Sequence, residues 1–68
     1  MRVTIWDWAY EAKETLRALG YEHGQQIEDC NPFDVAENIF SAGLNVMVFH
    51  TPEDVVVAAD TKRFGSRG

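Results

Sequence analysis

The sequence predicts a small α+β domain, a two-layer sandwich with the order β-α-α-β-β. Two helices are expected to pack on one face of a three-stranded, mainly antiparallel sheet. Three observations lead to this fold class: a short β-branched segment at the start, two amphipathic segments with marked ends, and two apolar runs around a proline turn. The chain has 68 residues, enough for one such domain. We predict residues 1–63 as a single compact domain and 64–68 as a flexible basic tail.

The first strand is predicted at residues 2–6, RVTIW. Val3 and Ile5 are β-branched and alternate with other residues, which is typical of a strand with one covered face. The same alternation assigns Trp6 to the opposite face, together with Trp8 if the strand extends that far.

The first helix is predicted at residues 8–19, with Asp7 as its N-cap. Its apolar side is formed by residues at helical spacing: Trp8, Ala12, Leu16 and Leu19. Gly20 follows at the position where a left-handed residue often ends a helix, and Tyr21 supplies the apolar residue that often accompanies it.

The second helix is predicted in the segment NPFDVAENIFSAG, residues 31–43. Asn31 is a preferred N-cap, and Pro32 suits the first helical position. The negative charge of Asp34 is stabilising near the positive, N-terminal end of the helix dipole. Gly43 is expected to end the helix. The predicted apolar side is broad: Phe33, Val35, Ala36, Ile39 and Phe40.

A β-hairpin is predicted at the C-terminal end, where LNVMVFH and VVVAAD flank the turn TPED. Both strands are almost continuously apolar, which indicates burial on both faces or contact of one face with a partner. Because two helices cover only one face, we expect an open face that carries Trp6, Met47, Phe49 and one set of valines. If the chain is an assembly subunit, the open face or strand 55–60 as an edge strand is expected to pair with a partner.

The charge is unevenly distributed along this chain of net charge −5. No lysine or arginine occurs between Arg17 and Lys62, whereas the same stretch holds eight acids: Glu22, Glu28, Asp29, Asp34, Glu37, Glu53, Asp54 and Asp60. Such a surface repels phosphate backbones and attracts basic protein surfaces, so direct nucleic-acid binding is not expected. The alternative is that the acids only keep a small domain soluble.

The single cysteine excludes an internal disulfide and favours a reducing compartment. The apolar stretch at the N-terminus is interrupted by Asp7 and Glu11, which is unlike a signal peptide. The apolar run around residues 46–49 is too short to span a membrane. We therefore expect a cytoplasmic protein, located in the host cell if a phage encodes it, with no membrane partner.

The segment IEDCNPFD, residues 27–34, has the highest density of reactive side chains. A zinc site needs closely paired Cys and His residues, whereas Cys30 is the only cysteine and the two histidines, His23 and His50, are distant. Glu28 and Asp29 disfavour the thiolate that a nucleophilic Cys30 would need, although the following helix N-terminus favours it. We predict no metal site, no cofactor, no catalytic residue and no enzymatic activity.

The aromatic run Trp6, Trp8 and Tyr10 admits two interpretations. Large aromatic side chains stabilise small cores, and we expect at least one of the two tryptophans in the core. Tryptophan and tyrosine are also enriched among the residues that dominate binding energy at interfaces, so an exposed one indicates a binding surface.

In format, a short acidic domain without a catalytic motif, the chain resembles the small phage and mobile-element proteins that inhibit host enzymes and defence complexes. The leading hypothesis is a non-enzymatic inhibitor that docks on a basic, nucleic-acid-binding surface of a larger host or defence protein. The predicted partner-binding residues are Glu22, Glu28, Asp29, Asp34, Glu37, Glu53, Asp54, Trp6, Trp8 and Tyr10. The alternative is an assembly subunit that homodimerises through an open sheet face or an edge strand.

Overall fold

The predicted two-layer α+β class is confirmed, with four strands in place of three. The structure, a computed structural model, describes residues 2–61, so the predicted tail 64–68 lies outside the described residues. Its elements in chain order are β1 Val3–Asp7, α1 Tyr10–Ala18, β2 Gln26–Ile27, α2 Pro32–Ser41, β3 Asn45–His50 and β4 Val55–Asp60. The α1 helix packs over β1 and β4, and α2 packs over β4 and β3.

The strands form one mixed sheet in the order β2-β1-β4-β3. β1 runs parallel to β4, with Val3 opposite Val55 and Asp7 opposite Ala59. The other two pairs, β1–β2 and β3–β4, are antiparallel. The prediction of an edge strand at 55–60 is wrong, because β1 and β3 pair with the two sides of β4. Among the described strands, β2 and β3 form the edges.

The additional strand, β2, is two residues long and pairs with β1 through Ile27 opposite Val3. The preceding loop continues this pairing. The Ile5 N–H donates to the Gln25 carbonyl at 2.8 Å, and the Gly24 N–H donates to the Ile5 carbonyl at 2.7 Å. Gly24 has a φ of 82°, a conformation that favours glycine and that turns the chain into this pairing.

The junction between β1 and α1 differs from the prediction. β1 extends through Asp7, and the Trp8 N–H then donates to the Ala59 carbonyl at 2.9 Å. The helix therefore begins at Tyr10 with Ala9 as its N-cap, so the predicted cap at Asp7 and start at residue 8 are wrong. Strand pairing with β4 takes precedence over the helical spacing of Trp8.

The C-terminal end of α1 confirms the predicted glycine cap. Gly20 has a φ of 94°, and its N–H donates to the Arg17 carbonyl at 3.0 Å. The Tyr21 N–H donates to the Leu16 carbonyl at 2.9 Å, which completes a Schellman motif. The motif satisfies two carbonyls at the helix end and turns Tyr21 back onto the core.

The predicted ends of α2 are also confirmed. The Asn31 side-chain oxygen accepts the Phe33 N–H at 2.9 Å, and Pro32 occupies the first helical position. Gly43 follows the helix with a φ of 100°. The apolar side is narrower than predicted, because the side chain of Phe33 is 64% exposed and that of Phe40 is 55% exposed.

The core fills the space between the helices and the sheet with aliphatic side chains. Its largest fully buried members are Ile5, Leu16, Ile39, Val3 and Val57. Trp6 and Trp8 lie outside it, so the expectation of a core tryptophan is wrong. The cause is the strand alternation, which points Trp6 away from the face that Val3 and Ile5 bury. No helix within residues 2–61 has the length and apolar content needed to cross a membrane.

Candidate functional site

The sheet face opposite the helices carries a cluster of large apolar side chains. Strand pairing places Trp6 beside Ala58, Ala58 beside Met47, and Val56 beside Phe49. Trp8 continues this side of the sheet just beyond β1 and packs on Phe49, with 5.9 Å between ring centroids in an edge-on arrangement. We call this surface the open face and define it by six residues: Trp6, Trp8, Met47, Phe49, Val56 and Ala58.

The open face is exposed to solvent in the part of the chain that the structure describes. The exposed fractions of its four largest side chains are 40% for Trp6, 49% for Trp8, 51% for Met47 and 38% for Phe49. These values confirm the prediction of an open face with Trp6, Met47 and Phe49. A shallow depression of about 350 Å³ lies over it, lined by Trp6, Trp8, Phe49, Thr51, Val56 and Ala58.

A histidine supports Trp6 at the rim of the open face. The His23 ring lies 4.0 Å from the Trp6 ring, centroid to centroid. Its Nδ1 atom is 3.0 Å from the Asp7 carboxylate and 3.2 Å from the Asp7 backbone nitrogen. Unprotonated Nδ1 accepts the backbone N–H, and protonated Nδ1 donates to the carboxylate. In either form Asp7 holds the His23 ring against the Trp6 indole.

The acids of the β3–β4 turn have different environments. Asp54 accepts a hydrogen bond from the Thr4 hydroxyl at 2.6 Å and another from the Thr51 hydroxyl at 2.6 Å. Its N–H donates back to the Thr51 oxygen at 2.9 Å. Asp54 therefore closes the turn and links it to β1, while the neighbouring Glu53 is exposed.

These hydrogen bonds lower the pKa of Asp54 from its ordinary value of 3.8, first through Thr4 and then through Thr51. A carboxyl whose pKa is lower in the folded protein adds stability above its unfolded pKa, and this stability is lost as the pH falls through the folded pKa.

We expect Asp54→Asn to lower the melting temperature at neutral pH. The variant should also lose less of its melting temperature than the native protein as the pH falls from about 6 to about 2. Thermal melts across this range measure both effects. An unchanged pH profile would contradict the role of Asp54.

The structure separates most of the predicted partner-binding residues. Trp6 and Trp8 lie together on the open face, but Tyr10 lies on the outer side of α1 with 73% of its side chain exposed. Asp34 and Glu37 lie on the exposed side of α2, in the opposite layer. The predicted surface is therefore not continuous.

The other predicted acids lie in loops. Glu22 lines a depression beside α1 that also includes Lys13 and Arg17. Glu28 and Asp29 lie between β2 and α2, where Asp29 adopts a left-handed conformation with a φ of 56°. None of these three acids belongs to the open face.

Sequence reasoning missed Ala58 and His23 and did not decide which set of valines lies on the open face. Val56 and Ala58 follow from strand alternation once the pairing of β4 with β1 is known, but this parallel pairing has no local signal in the sequence. No local pattern indicates a role for His23 at the site, because its contact with Trp6 joins residues that are distant in the chain.

The segment 27–34 connects the end of β2 to the N-cap and first turn of α2. Cys30 is partly buried and packs against the core. Within residues 2–61, no three His, Cys, Asp or Glu side chains lie close enough to hold a metal ion.

Comparisons with protein-family models, with curated proteins and with solved structures found no match to this chain.

Proposed function

We propose that this chain is a non-enzymatic binding protein that docks through its open face on a larger protein. It inhibits that partner by covering a basic surface. The observation that carries the proposal is the grouping of Trp6, Trp8, Met47 and Phe49 on one uncovered side of the sheet, each 38–51% exposed.

The composition of the open face supports a protein partner. A contiguous exposed apolar patch on a small domain marks an interaction site, because it favours aggregation when it has no partner. Tryptophan bound in a pocket is among the side chains that contribute most to binding energy. The depression beside Trp6 and Trp8 is shallow, which suits the side chains of a partner better than an enclosed small molecule.

The charge distribution supports a basic surface on the partner. Asp60 lies at the end of β4, on the same side of the sheet as Ala58, and Glu53 lies in the turn after Phe49. Two of the three described cations, Lys13 and Arg17, line the depression beside α1. The third, Arg2, contributes to the lowered pKa of Asp54, after the hydrogen bonds from Thr4 and Thr51. A partner with an apolar patch bordered by lysine and arginine complements this arrangement.

Inhibition follows from occupancy of that basic surface. Surfaces rich in lysine and arginine bind polyanions such as nucleic acids through many phosphate contacts. An acidic domain anchored there by two tryptophans excludes the polyanion sterically and repels it electrostatically.

The proposal is tested in two steps. The partner is captured from a host lysate by crosslinking and is identified by mass spectrometry. Its binding is then measured with purified proteins. We expect the affinity to fall at least about tenfold between about 50 mM and about 500 mM salt, because exposed charges are screened. A short DNA duplex should compete with the chain. An affinity independent of salt, or no competition, would contradict the proposed docking on a basic surface.

A matched pair of charge reversals locates the acids that contribute. Glu53→Lys lies next to the open face, whereas Glu37→Lys lies on the exposed side of α2. We expect Glu53→Lys to slow association about three- to tenfold, because charges at the rim of an interface act mainly on the association rate. Glu37→Lys should have a smaller effect. Equal effects of the two variants would indicate net charge alone and not a defined docking surface.

A further inference from the structure

β3 presents an edge of the sheet that lacks the usual protection. Its six residues, NVMVFH, contain no lysine, arginine, aspartate, glutamate or proline. Natural edge strands are commonly protected by such residues, by bulges or by extreme shortness, because an unprotected edge pairs with other strands. The other edge, β2, has only two residues. Among the described strands, none pairs with the outer side of β3.

An apolar flank of α2 lies above this edge. The Asn38 amide donates to the Tyr21 hydroxyl at 3.4 Å, so the flank with Asn38 faces the α1 side of the domain. Val35 and Ile39 face the sheet. Phe33 and Phe40 lie on the flank opposite Asn38, because successive residues of a helix are about 100° apart. Since α2 packs over β3 and β4, this flank lies towards the outer side of β3.

We infer that β3 pairs antiparallel with β3 of a second copy of this chain, which forms a twofold dimer with a continuous eight-stranded sheet. This inference goes beyond the proposed function and does not depend on it. A twofold axis perpendicular to the sheet keeps corresponding faces on the same side. Met47 then lies opposite Met47 or Phe49 of the second copy, which are apolar cross-strand pairs in both registers.

The distribution of charge favours a second copy as the occupant of this edge. Two chains of net charge −5 repel each other over most of their surfaces. β3 is an element without acids, so pairing through β3 brings no like charges directly opposite each other. For the same reason β3 offers no carboxylate to form an ion pair with the lysine or arginine of a basic partner.

The available area also suits a dimer. A buried phenylalanine contributes roughly 150–250 Å², and Phe33 and Phe40 are 64% and 55% exposed, so the four phenylalanines of two copies offer on the order of 400 Å². The six-residue strand adds an edge about 20 Å long in each copy. The phenylalanines alone supply about two fifths of the roughly 1,000 Å² expected of a specific interface, and the paired strand edges add to this area.

The oligomeric state tests this inference directly. We expect light scattering at about 100 μM to give twice the 7.7 kDa mass of one chain, with dissociation on dilution. Phe33→Glu should shift the protein to the monomer. This variant keeps the fold, because an acid in the first turn of α2 is compatible with the helix dipole. Tyr10→Glu, a matched change at an exposed aromatic residue of α1, should remain dimeric.

Two further measurements separate this inference from the proposed function. Dimerisation should persist or strengthen as salt is raised, whereas binding to a basic partner weakens. In a mixture of labelled and unlabelled chains, contacts between β3 strands should appear in filtered NMR spectra. A monomer at all concentrations, or a dimer that Trp8→Ala abolishes and Phe33→Glu leaves intact, would overturn the inference.

Discussion

Ile5→Ala is expected to remove most of the stability of this domain. A globular chain of this length has a free energy of unfolding of roughly 3–10 kcal/mol. Ile5 is fully buried at the centre of β1, between β2 and β4, and its truncation leaves a cavity. Such changes cost about 2–5 kcal/mol. We therefore expect an unfolding transition shifted to much lower urea concentration and a substantial unfolded population at 37 °C.

Ile27→Ala is the matched control for this prediction. Ile27 belongs to the short strand β2 and is only partly buried, although it packs against the same core. The same truncation should cost about 1–2 kcal/mol there, because less apolar area and a smaller cavity are involved. Urea unfolding of both variants measures the difference. A cost for Ile5→Ala that does not exceed the cost for Ile27→Ala would contradict the full burial of Ile5 in the core.

Trp6→Ala combined with Trp8→Ala is expected to abolish binding to the partner at concentrations where the native chain is saturated. Tryptophans that dominate an interface contribute about 2 kcal/mol or more each, and about 1.4 kcal/mol corresponds to tenfold in affinity. Each single variant should therefore weaken binding about 30-fold. Stability should change by only about 1 kcal/mol for each, because both side chains are 40–49% exposed.

Tyr10→Ala provides the control for aromatic truncation in general. Tyr10 is 73% exposed on the outer side of α1 and lies away from the open face. We expect wild-type affinity for this variant by isothermal calorimetry. If Tyr10→Ala weakens binding as strongly as Trp8→Ala, the partner contacts α1, and the assignment of the open face is wrong.

The helix α2 shows how much of the fold could be predicted from local sequence. Asn31 and Pro32 specify its start through a side-chain hydrogen bond and a fixed backbone dihedral, and Gly43 specifies its end. Each of these effects acts over a few neighbouring residues. The sequence is therefore sufficient to place α2 within a residue or two.

The start of α1 could not be predicted in the same way. Trp8 has the spacing of a helix residue, but its N–H pairs with Ala59, which is distant in sequence. Asp7 has the chemistry of an N-cap, but its carboxylate contacts His23 instead. In both cases a tertiary contact overrides a local preference, and no local pattern reports that contact.

The sheet order illustrates the same limit. A two-residue strand such as β2 has no measurable alternation, and its pairing depends on the backbone of residues 24–25. The apolar run 55–60 is compatible with an edge or an interior strand. Parallel pairing of β1 with β4 decides between these positions and involves residues about fifty positions apart.

The candidate site was predictable in part. An open face with Trp6, Met47 and Phe49 was predicted because two helices can cover only one side of a sheet whose strands are apolar on both sides. The sequence could not distinguish structural acids from exposed ones, because position in a loop does not reveal whether a carboxylate accepts hydrogen bonds. Asp54 closes a turn, whereas the neighbouring Glu53 is exposed.

The footprint of the partner on the labelled chain tests the open face most directly. In NMR spectra recorded during titration with the purified partner, we predict that the indole N–H signals of Trp6 and Trp8 and the methyl signal of Met47 shift or broaden first. Signals from the exposed side of α2, including Asp34 and Glu37, should stay in place. Unchanged indole signals at saturation, with shifts confined to α2, would contradict binding through the open face.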